Sequence, residues 1–393
     1  MRSLRERLMA VSSAAPGARS SAPPPRKEPF FCREHVVPLP DLDGIEQTTL
    51  DEVRACDPLF VGTAWDVRKL LFLDTETTGL SGGAGTLAFE IGVGFLTGDG
   101  MVIRQYVMRD YGEEAAMLAE IAQLFERFDT VVSFNGKSFD LPLLESRMVM
   151  NRIRLSVTRW PHLDLLHAAR RVYKLRLGRC NLSALEEAVL GQPRGDDLPG
   201  AQVPQRYFDF LKTGEFALLE DVLRHNLQDV RSLAVLTAHL CAAYRSPQQL
   251  THEEDVYSVG RVLLRGGRTE QGRACLKILG HSTLSAQAHM HLASSYKHTR
   301  EWEAAADSWR EMIARGEGGT WPYIELAKYY EHIEKDIPQA LACARSALRQ
   351  ALSSAPLTGI NETQLEMIRR RIARLQEKQR RLDNQSGNGR KQS

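Results

Sequence analysis

The stretch FLDTETTGL, residues 72–80, ends an apolar run with two carboxylates, and it constrains the fold more than any other part of the chain. Side chains alternate along a strand, so Phe72, Asp74 and Glu76 share one face while Leu71 and Leu73 point to the other. Two acids beside a buried strand lose hydration and repel each other unless a cation lies between them. The stretch therefore predicts a strand that ends at a cation site; a strand end that frays into solvent is the alternative.

The order of elements around this strand predicts an α/β domain that begins with an antiparallel hairpin. Predicted strands cover residues 69–76, 86–97, 101–109 and 130–134. Predicted helices cover residues 113–128 and lie near 140–151, 164–174, 182–190 and 216–244. We expect the ordered domain to occupy residues 69–245.

Beyond residue 252 the pattern is purely helical, and it repeats with a period of 34 residues. The matching residues are Leu292-Ala293 with Leu326-Ala327, Tyr296 with Tyr330, and Ala306 with Ala340. This period, with small residues where two helices approach closely, predicts tetratricopeptide-like repeats over residues 253–355. Chance matching within ordinary helical hairpins is the alternative.

The two ends of the chain differ from these domains in composition. Residues 1–68 predict a short N-terminal helix and a Pro/Ser/Ala-rich linker that is partly disordered. Residues 356–393 predict a helix and tail rich in Arg and Lys, although the formal net charge of the whole chain is only +2. A basic surface that binds nucleic acid must therefore be confined to one part of the chain.

Composition also excludes several classes of protein. The six cysteines form no C-x-x-C pair, which argues against a zinc knuckle and a disulfide scaffold and favours reduced thiols. No run of 18 apolar residues and no secretory signal is present. We expect a cytoplasmic protein with no membrane partner.

Two further acidic motifs follow the first one along the chain. In VVSFNGKSFDLPLLESR, residues 131–147, an apolar strand ends at Asn135 and a helix begins near Asp140, which is either a site residue or an N-cap. In HNLQDV, residues 225–230, His225 and Asp229 are one helical turn apart and share a face. As an isolated pair they would form an ordinary hydrogen bond.

Taken together, Asp-x-Glu on a first strand, Asn-x-x-x-Phe-Asp after a later strand and His-x-x-x-Asp on a late helix resemble the DEDD exonuclease superfamily of the RNase H-like fold. The glycine-rich TGLSGGAGTLAFEIGVG and the trailing repeats look like the YprB-like RNase H-like proteins. The resemblance covers about residues 69–244. It implies a mixed sheet flanked by helices, followed by an all-α repeat domain.

The resemblance also implies roles for individual residues. Asp74, Glu76, Asp140 and Asp229 would be the catalytic ligands of two Mg²⁺ or Mn²⁺ ions, because hard cations prefer oxygen ligands. His225 would be a general base or a water-orienting group, although the four-residue spacing to Asp229 is that of the tyrosine-bearing branch; a structural histidine is the alternative.

Three more residues, Asn135, Thr77 and Lys137, are predicted nucleic-acid contacts, with capping of the turn at Gly136 as the alternative for Asn135. Asp164 is a lower-ranked candidate for an outer-shell role.

We therefore expect a 3′ to 5′ exonuclease that acts on single-stranded DNA or RNA and uses its helical repeats to bind a protein partner. A non-catalytic nucleic-acid-binding or scaffold protein is the alternative of a different class. An endonuclease acting on structured nucleic acid also stays open, because the two-metal reaction is the same.

Overall fold

The computed structural model describes residues 28–79, 85–195, 198–358 and 362–389. The chain divides into two compact units between Gln249 and Leu250. The predicted N-terminal helix and most of the predicted linker lie outside the described residues.

The first unit is built on a mixed sheet, which within the described residues has six strands. In chain order these are β1 (Phe31–Pro38), β2 (Leu70–Thr77), β3 (Ala88–Leu96), β4 (Gly100–Val107), β5 (Thr130–Ser133) and β6 (His162–Asp164). Their order in the sheet is β1-β4-β3-β2-β5-β6. The pairs β1/β4, β4/β3 and β3/β2 are antiparallel, whereas β2/β5 and β5/β6 are parallel.

Helices flank this sheet. In chain order they are α1 (Leu50–Cys56), α2 (Glu114–Phe125), α3 (Asp140–Met150), α4 (Leu165–Leu177), α5 (Leu182–Ala188), α6 (Val203–Thr213) and α7 (Glu220–Arg245). The predicted α/β class with a mixed sheet and flanking helices is confirmed.

The two faces of the sheet carry different side chains because strand residues alternate. Leu71 and Leu73 of β2 and Phe89 and Ile91 of β3 lie in one buried cluster with apolar residues of α2. Complete burial of such a side chain stabilises the fold by roughly 1.5–3 kcal/mol. The side chains of the intervening residues, among them Asp74, lie on the opposite face of the sheet.

That opposite face packs on α7, and two glycines of β3 allow a close approach. A Cβ at Gly92 would lie 2.0 Å from Asn226 Oδ1, and one at Gly94 would lie 2.8 Å from Val230 Cγ1. Because no other residue lacks a Cβ, these positions hold α7 directly against the strand next to β2. This packing brings the motif of His225 and Asp229 on α7 to the acids of β2.

Two strands of the sheet are not predicted by the sequence, which places the first ordered element at Lys69. β1 pairs with β4 from Phe31 opposite Val107 to Pro38 opposite Gly100. It is an edge strand with alternating half-buried and exposed side chains next to a Pro-rich segment, so its local signal is weak. β6 is only three residues long and is too short to show a period.

The second unit is helical throughout its described residues. Its helices are α8 (Glu253–Arg265), α9 (Thr269–Lys277), α10 (Ser285–His298), α11 (Trp302–Ala314), α12 (Trp321–Tyr329), α13 (Ile337–Thr358) and α14 (Glu362–Gly389). Consecutive helices pack against each other. The small residues that match across the predicted repeat, Ala293 with Ala327 and Ala306 with Ala340, are all fully buried.

A buried glutamate ties the basic C-terminal helix to the rest of this unit. Glu331 lies in the π-helical turn Tyr330–Glu334 and is fully buried. Its carboxylate accepts hydrogen bonds from Arg371 at 2.9 Å, Arg374 at 2.8 Å and Lys378 at 2.6 Å. Part of the basic charge of α14 is therefore paired with Glu331 inside the unit.

Among the described helices of the chain, none combines the length and apolar composition that a membrane span needs.

Candidate metal centre

The acids of the first motif lie at the end of β2, and an amide of α7 holds one of them. Asp74 is half-buried and lies opposite Gly92 in the sheet. Asn226 Nδ2 donates a hydrogen bond to Asp74 Oδ2 at 3.0 Å. Glu76 is also half-buried and pairs across the sheet with Glu90. The predicted common face is thus directed at α7 rather than at open solvent.

The second contribution comes from the middle of α7. His225 Nε2 lies 3.4 Å from Asp229 Oδ2 and 3.8 Å from Glu76 Oε1. One ligand atom from each of Glu76, His225 and Asp229 lies within 4.8 Å of the others. Glu76 of the strand and the His225–Asp229 pair of the helix, which are far apart in sequence, therefore meet in one cluster.

Asp140 contributes from the start of α3. The N-cap of this helix is Phe139 and makes no side-chain capping bond, so Asp140 is the first helical residue and not the cap. Its Oδ1 accepts a hydrogen bond of 2.5 Å from Thr75 Oγ1, and the residue is 5% exposed. Thr75 lies between Asp74 and Glu76 on β2, so this bond ties Asp140 to the strand that carries the other two acids.

The electrostatics of the cluster are those of buried acids whose mutual repulsion is only partly offset by Arg194. Burial raises the pKa of Asp74 well above its ordinary value, and Asp229, Glu76 and Asp140 raise it further. Burial likewise raises the pKa of Glu76, with added repulsion from Glu90, Asp229 and Asp140.

The other two acids of the cluster are shifted in the same direction. Burial raises the pKa of Asp140 to about 6, although the bond from Thr75 opposes the shift. Burial also raises the pKa of Asp229 to about 6, and His225 and Arg194 oppose that shift.

The donor set fits hard divalent cations. It consists of carboxylate oxygens with one imidazole beside them, and no cysteine is among these residues. Mg²⁺ and Mn²⁺ prefer such oxygen ligands, and a divalent cation offsets the mutual repulsion of buried carboxylates. Glu76, His225 and Asp229 therefore form a candidate acidic metal site, and RNase H-like nucleases generally use divalent metals.

A series of buried hydrogen bonds between side chains leads to Asp74 through Asn226. Gln105 Nε2 lies 3.2 Å from Asn226 Oδ1, 2.9 Å from Glu90 Oε1 and 2.6 Å from the Leu223 carbonyl oxygen, and these three acceptors share its two hydrogens. Because Asn226 uses its oxygen toward Gln105, its amide nitrogen is directed at Asp74. This orientation fixes the Asp74 carboxylate before any ligand binds.

An arginine from the loop after α5 reaches the same cluster. Arg194 donates through Nε to Glu186 Oε2 and through Nη2 to Asp229 Oδ1, and its Nη1 donates to His225 Nδ1 at 3.1 Å. Glu186 is fully buried and also accepts a bond of 2.5 Å from Ser232 Oγ. Arg194 is thus a cation held in a fixed position beside two site residues.

The predicted nucleic-acid contacts lie in different surroundings. Asn135 and Lys137 are exposed in the turn after β5, where Asp164 accepts hydrogen bonds from their backbone amides at 2.8 and 3.2 Å. Asn135 has a φ of 69°, in the left-handed region that asparagine tolerates. Lys137 Nζ lies 3.5 Å from Asp57. Thr77 is buried, and its hydroxyl donates to the Gly79 carbonyl at 2.9 Å.

Sequence reasoning misses three residues of this arrangement. Asn226 directly follows His225 and is one turn before the apolar Val230. This spacing could have predicted that Asn226 lies on the face of α7 next to the sheet. Gln105 and Arg194 have no such signal, because one lies in an ordinary strand and the other in a loop, and their contacts exist only in the folded chain.

Comparison with known proteins agrees with this geometry. Residues 71–241 match the model of the RNase_H superfamily, and this range includes all four carboxylates. The chain is 33% identical over 321 residues to the "Uncharacterized protein YprB" of Bacillus subtilis (strain 168), covering 80% of this chain and 76% of that protein.

A solved structure, the family B DNA polymerase from the hyperthermophilic archaeon Pyrobaculum calidifontis, is similar at 19% identity with a TM-score of 0.35. The similarity covers 55% of this chain and 29% of the polymerase. The extent of the identity with YprB and the superfamily match lead to one conclusion: the chain belongs to the same family as YprB and contains an RNase_H superfamily domain over residues 71–241.

Proposed function

We propose that this protein is a metal-dependent 3′ to 5′ exonuclease that hydrolyses single-stranded DNA or RNA with two metal ions. One observation carries the proposal: Asp74, Glu76, Asp140 and Asp229 come from three distant segments, and Asp229 and Asp140 both raise the pKa of Asp74 and of Glu76. Such a cluster costs stability unless cations bind it. Membership of the RNase_H superfamily supports nuclease activity in general, and the order of the motifs supports the DEDD type.

The four carboxylates would hold the ions, and the rest of the cluster prepares them. When bound, Mg²⁺ or Mn²⁺ supplies Lewis acidity toward the phosphodiester and lowers the pKa of an attacking water. Asn226 fixes Asp74 and Thr75 fixes Asp140, so two of the ligands are oriented in advance. His225 lies in the same cluster and is placed to orient the attacking water.

The substrate would approach over the turn after β5. Asn135 and Lys137 are exposed there, and the same short segment leads into Asp140. An amide and an ammonium side chain at this position suit contacts to a phosphate and a sugar. Asp164 holds the turn through the backbone amides of both residues, so it positions these contacts without touching the substrate.

The second unit would bind a partner protein as a tetratricopeptide-like repeat. The buried alanines that match across the 34-residue period support this proposal, because repeats place small residues where neighbouring helices meet.

The test uses purified full-length protein and short DNA and RNA strands labelled at the 5′ end, with Mn²⁺, with Mg²⁺ or with EDTA. We expect a ladder of products shortened from the 3′ end, formed on single strands and only with metal. Asp140→Asn should lose this metal-dependent cleavage. Asp209→Asn, which changes an acid on the surface of α6, is the matched control and should cleave like the wild type.

Three outcomes would contradict the proposal. Cleavage in EDTA would exclude the metal mechanism. Rapid cutting of a circular single strand, which has no end, would show an endonuclease. Absence of any metal-dependent cleavage on all substrates would favour the non-catalytic alternative.

A further inference from the structure

Arg194 and His225 make a contact that limits what the histidine can do. Arg194 Nη1 lies 3.1 Å from His225 Nδ1, and the arginine side chain is 9% exposed. Its other nitrogens donate to Asp229 and to Glu186, and Glu186 is itself fixed by Ser232. A guanidinium anchored on two carboxylates has little freedom to turn away from the imidazole.

An arginine side chain only donates hydrogen bonds, since it carries N–H groups and no lone pair that accepts. The Nδ1 atom that faces Arg194 must therefore accept, and it does so only when it carries no proton. In a neutral imidazole the single proton then lies on Nε2. The contact with Arg194 thus selects one of the two tautomers.

The protonated nitrogen is the one that faces the acids. Nε2 lies 3.4 Å from Asp229 Oδ2 and 3.8 Å from Glu76 Oε1. A nitrogen that carries this proton can only donate a hydrogen bond; it neither takes a proton from water nor ligates a metal. The ligand role in this cluster is thereby left to the carboxylates.

We propose that Arg194 is a positioning residue that holds His225 as the Nε2–H tautomer, so that His225 acts on the attacking water as a hydrogen-bond donor and not as a general base. The role toward water rests on the proposed nuclease function, whereas the tautomer does not. A donor at this position is what a tyrosine hydroxyl would supply, which agrees with the four-residue spacing between His225 and Asp229.

The tautomer is tested on the metal-free full-length protein by nitrogen-15 NMR of labelled histidines, at about pH 8 where an ordinary imidazole is neutral. The His225 signals are identified by their loss in His225→Gln. We expect Nδ1 without a proton and Nε2 with one. A proton on Nδ1 in the wild type would overturn the proposal.

The part played by Arg194 is tested by Arg194→Met, which keeps the length of the side chain and removes the donors. We expect the Nδ1 signal of His225 to shift and a protonated fraction to appear. An Nδ1 signal identical to that of the wild type would refute the contact. Arg194→Lys keeps a cationic donor and should stay closer to the wild type. Arg194→Leu, which also removes the donors, takes the place of the Met variant if that one does not fold.

Arg245→Met is the matched control, since Arg245 pairs with the carboxylate of Glu52 near the far end of α7 from His225. It should leave the His225 signals unchanged, and an equal shift in this variant would overturn the specific role of Arg194.

The proposed role of His225 toward the attacking water is tested separately, by measuring kcat at saturating Mn²⁺. Loss of a group that orients a site residue commonly costs on the order of 10- to 100-fold in activity, and we expect a loss of this size in Arg194→Met. His225→Gln, which keeps an N–H donor but has no basic nitrogen, should retain more activity than His225→Ala. Equal losses in the Gln and Ala variants would contradict the donor role. An inactive wild type would refute the proposed nuclease and leave the NMR result standing.

Discussion

Replacing Asp140 by asparagine separates the effect of the buried charge on the free energy of unfolding from its proposed role in metal binding. Asp140 is 5% exposed, and its Oδ1 accepts the bond from Thr75. The amide oxygen of asparagine can accept the same bond, so Asp140→Asn removes the charge and keeps the anchor. The variant therefore changes the electrostatics of the cluster with little change in packing.

The size of the effect follows from the pKa of the carboxyl group. Burial raises the pKa of Asp140 from 3.8 to about 6 in the metal-free protein. One pKa unit corresponds to about 1.4 kcal/mol, so the ionised carboxylate lowers the free energy of unfolding by about 3 kcal/mol at neutral pH. Asp140→Asn should recover most of this free energy.

The sign of the pH dependence is fixed by the direction of the shift. Because the folded-state pKa is the higher one, the cost is fully present above about pH 6 and disappears as the pH falls toward 3.8. In EDTA the variant should be more stable than the wild type at pH 8, and the difference should shrink as the pH falls through the range from 6 to 4.

Metal should reverse the order of stability. A ligand present at 1,000 times its dissociation constant stabilises the folded state by about 4.1 kcal/mol, which exceeds the cost of the ionised carboxylate, and the variant has lost one of the oxygen ligands. In scanning calorimetry of the full-length protein, the transition of the first unit is identified as the one that Mn²⁺ shifts.

Two results would refute this reasoning. One is an Asp140→Asn protein that is less stable than the wild type in EDTA at pH 8, since the ionised carboxylate would then be favourable. The other is an equal stabilisation of both proteins by Mn²⁺. Asp209→Asn, on the surface of α6, should change neither quantity.

Four further predictions follow from the same structure. Asp74→Asn should abolish metal-dependent cleavage while circular dichroism stays that of a folded protein; cleavage at the wild-type rate would remove Asp74 from the ligands. His225→Tyr should keep more activity than His225→Ala, since a phenol also donates a hydrogen bond; full activity in the Ala variant would make His225 structural. A chain ending at Gln249 should still cleave short substrates, and loss of activity in a folded truncation would contradict this. Glu331→Gln should weaken the attachment of α14 by about 1–3 kcal/mol, seen as faster hydrogen exchange in that helix; unchanged exchange would argue against the ion cluster.

The sequence predicts those parts of the fold whose local pattern agrees with their tertiary environment. β2 is an apolar run, and α7 has a long helical period, so both are predicted within a few residues of their bounds. α1 is not predicted, although Thr49 and Glu52 form a capping box that could have revealed its start. β1 becomes a strand only by pairing with β4, and no short stretch of sequence contains that information.

The same division holds for the candidate site. The four carboxylates and His225 stand in motifs whose residue types and spacing point to metal chemistry, so they can be proposed from the sequence. Their supports cannot, because each one depends on a contact between distant segments. Gly92 illustrates this: in the sequence it is one of several glycines, whereas in the fold its missing Cβ is the space that Asn226 occupies.

The central claim is that the four carboxylates hold two divalent cations, and anomalous diffraction from crystals grown with Mn²⁺ and a nucleoside monophosphate tests it most directly. The account predicts two anomalous peaks about 3.5–4 Å apart, bounded by oxygens of Asp74, Glu76, Asp140 and Asp229, with His225 close by but not bonded to either ion through Nε2. No peak among these carboxylates at saturating Mn²⁺, or peaks only at other acidic residues, would contradict it.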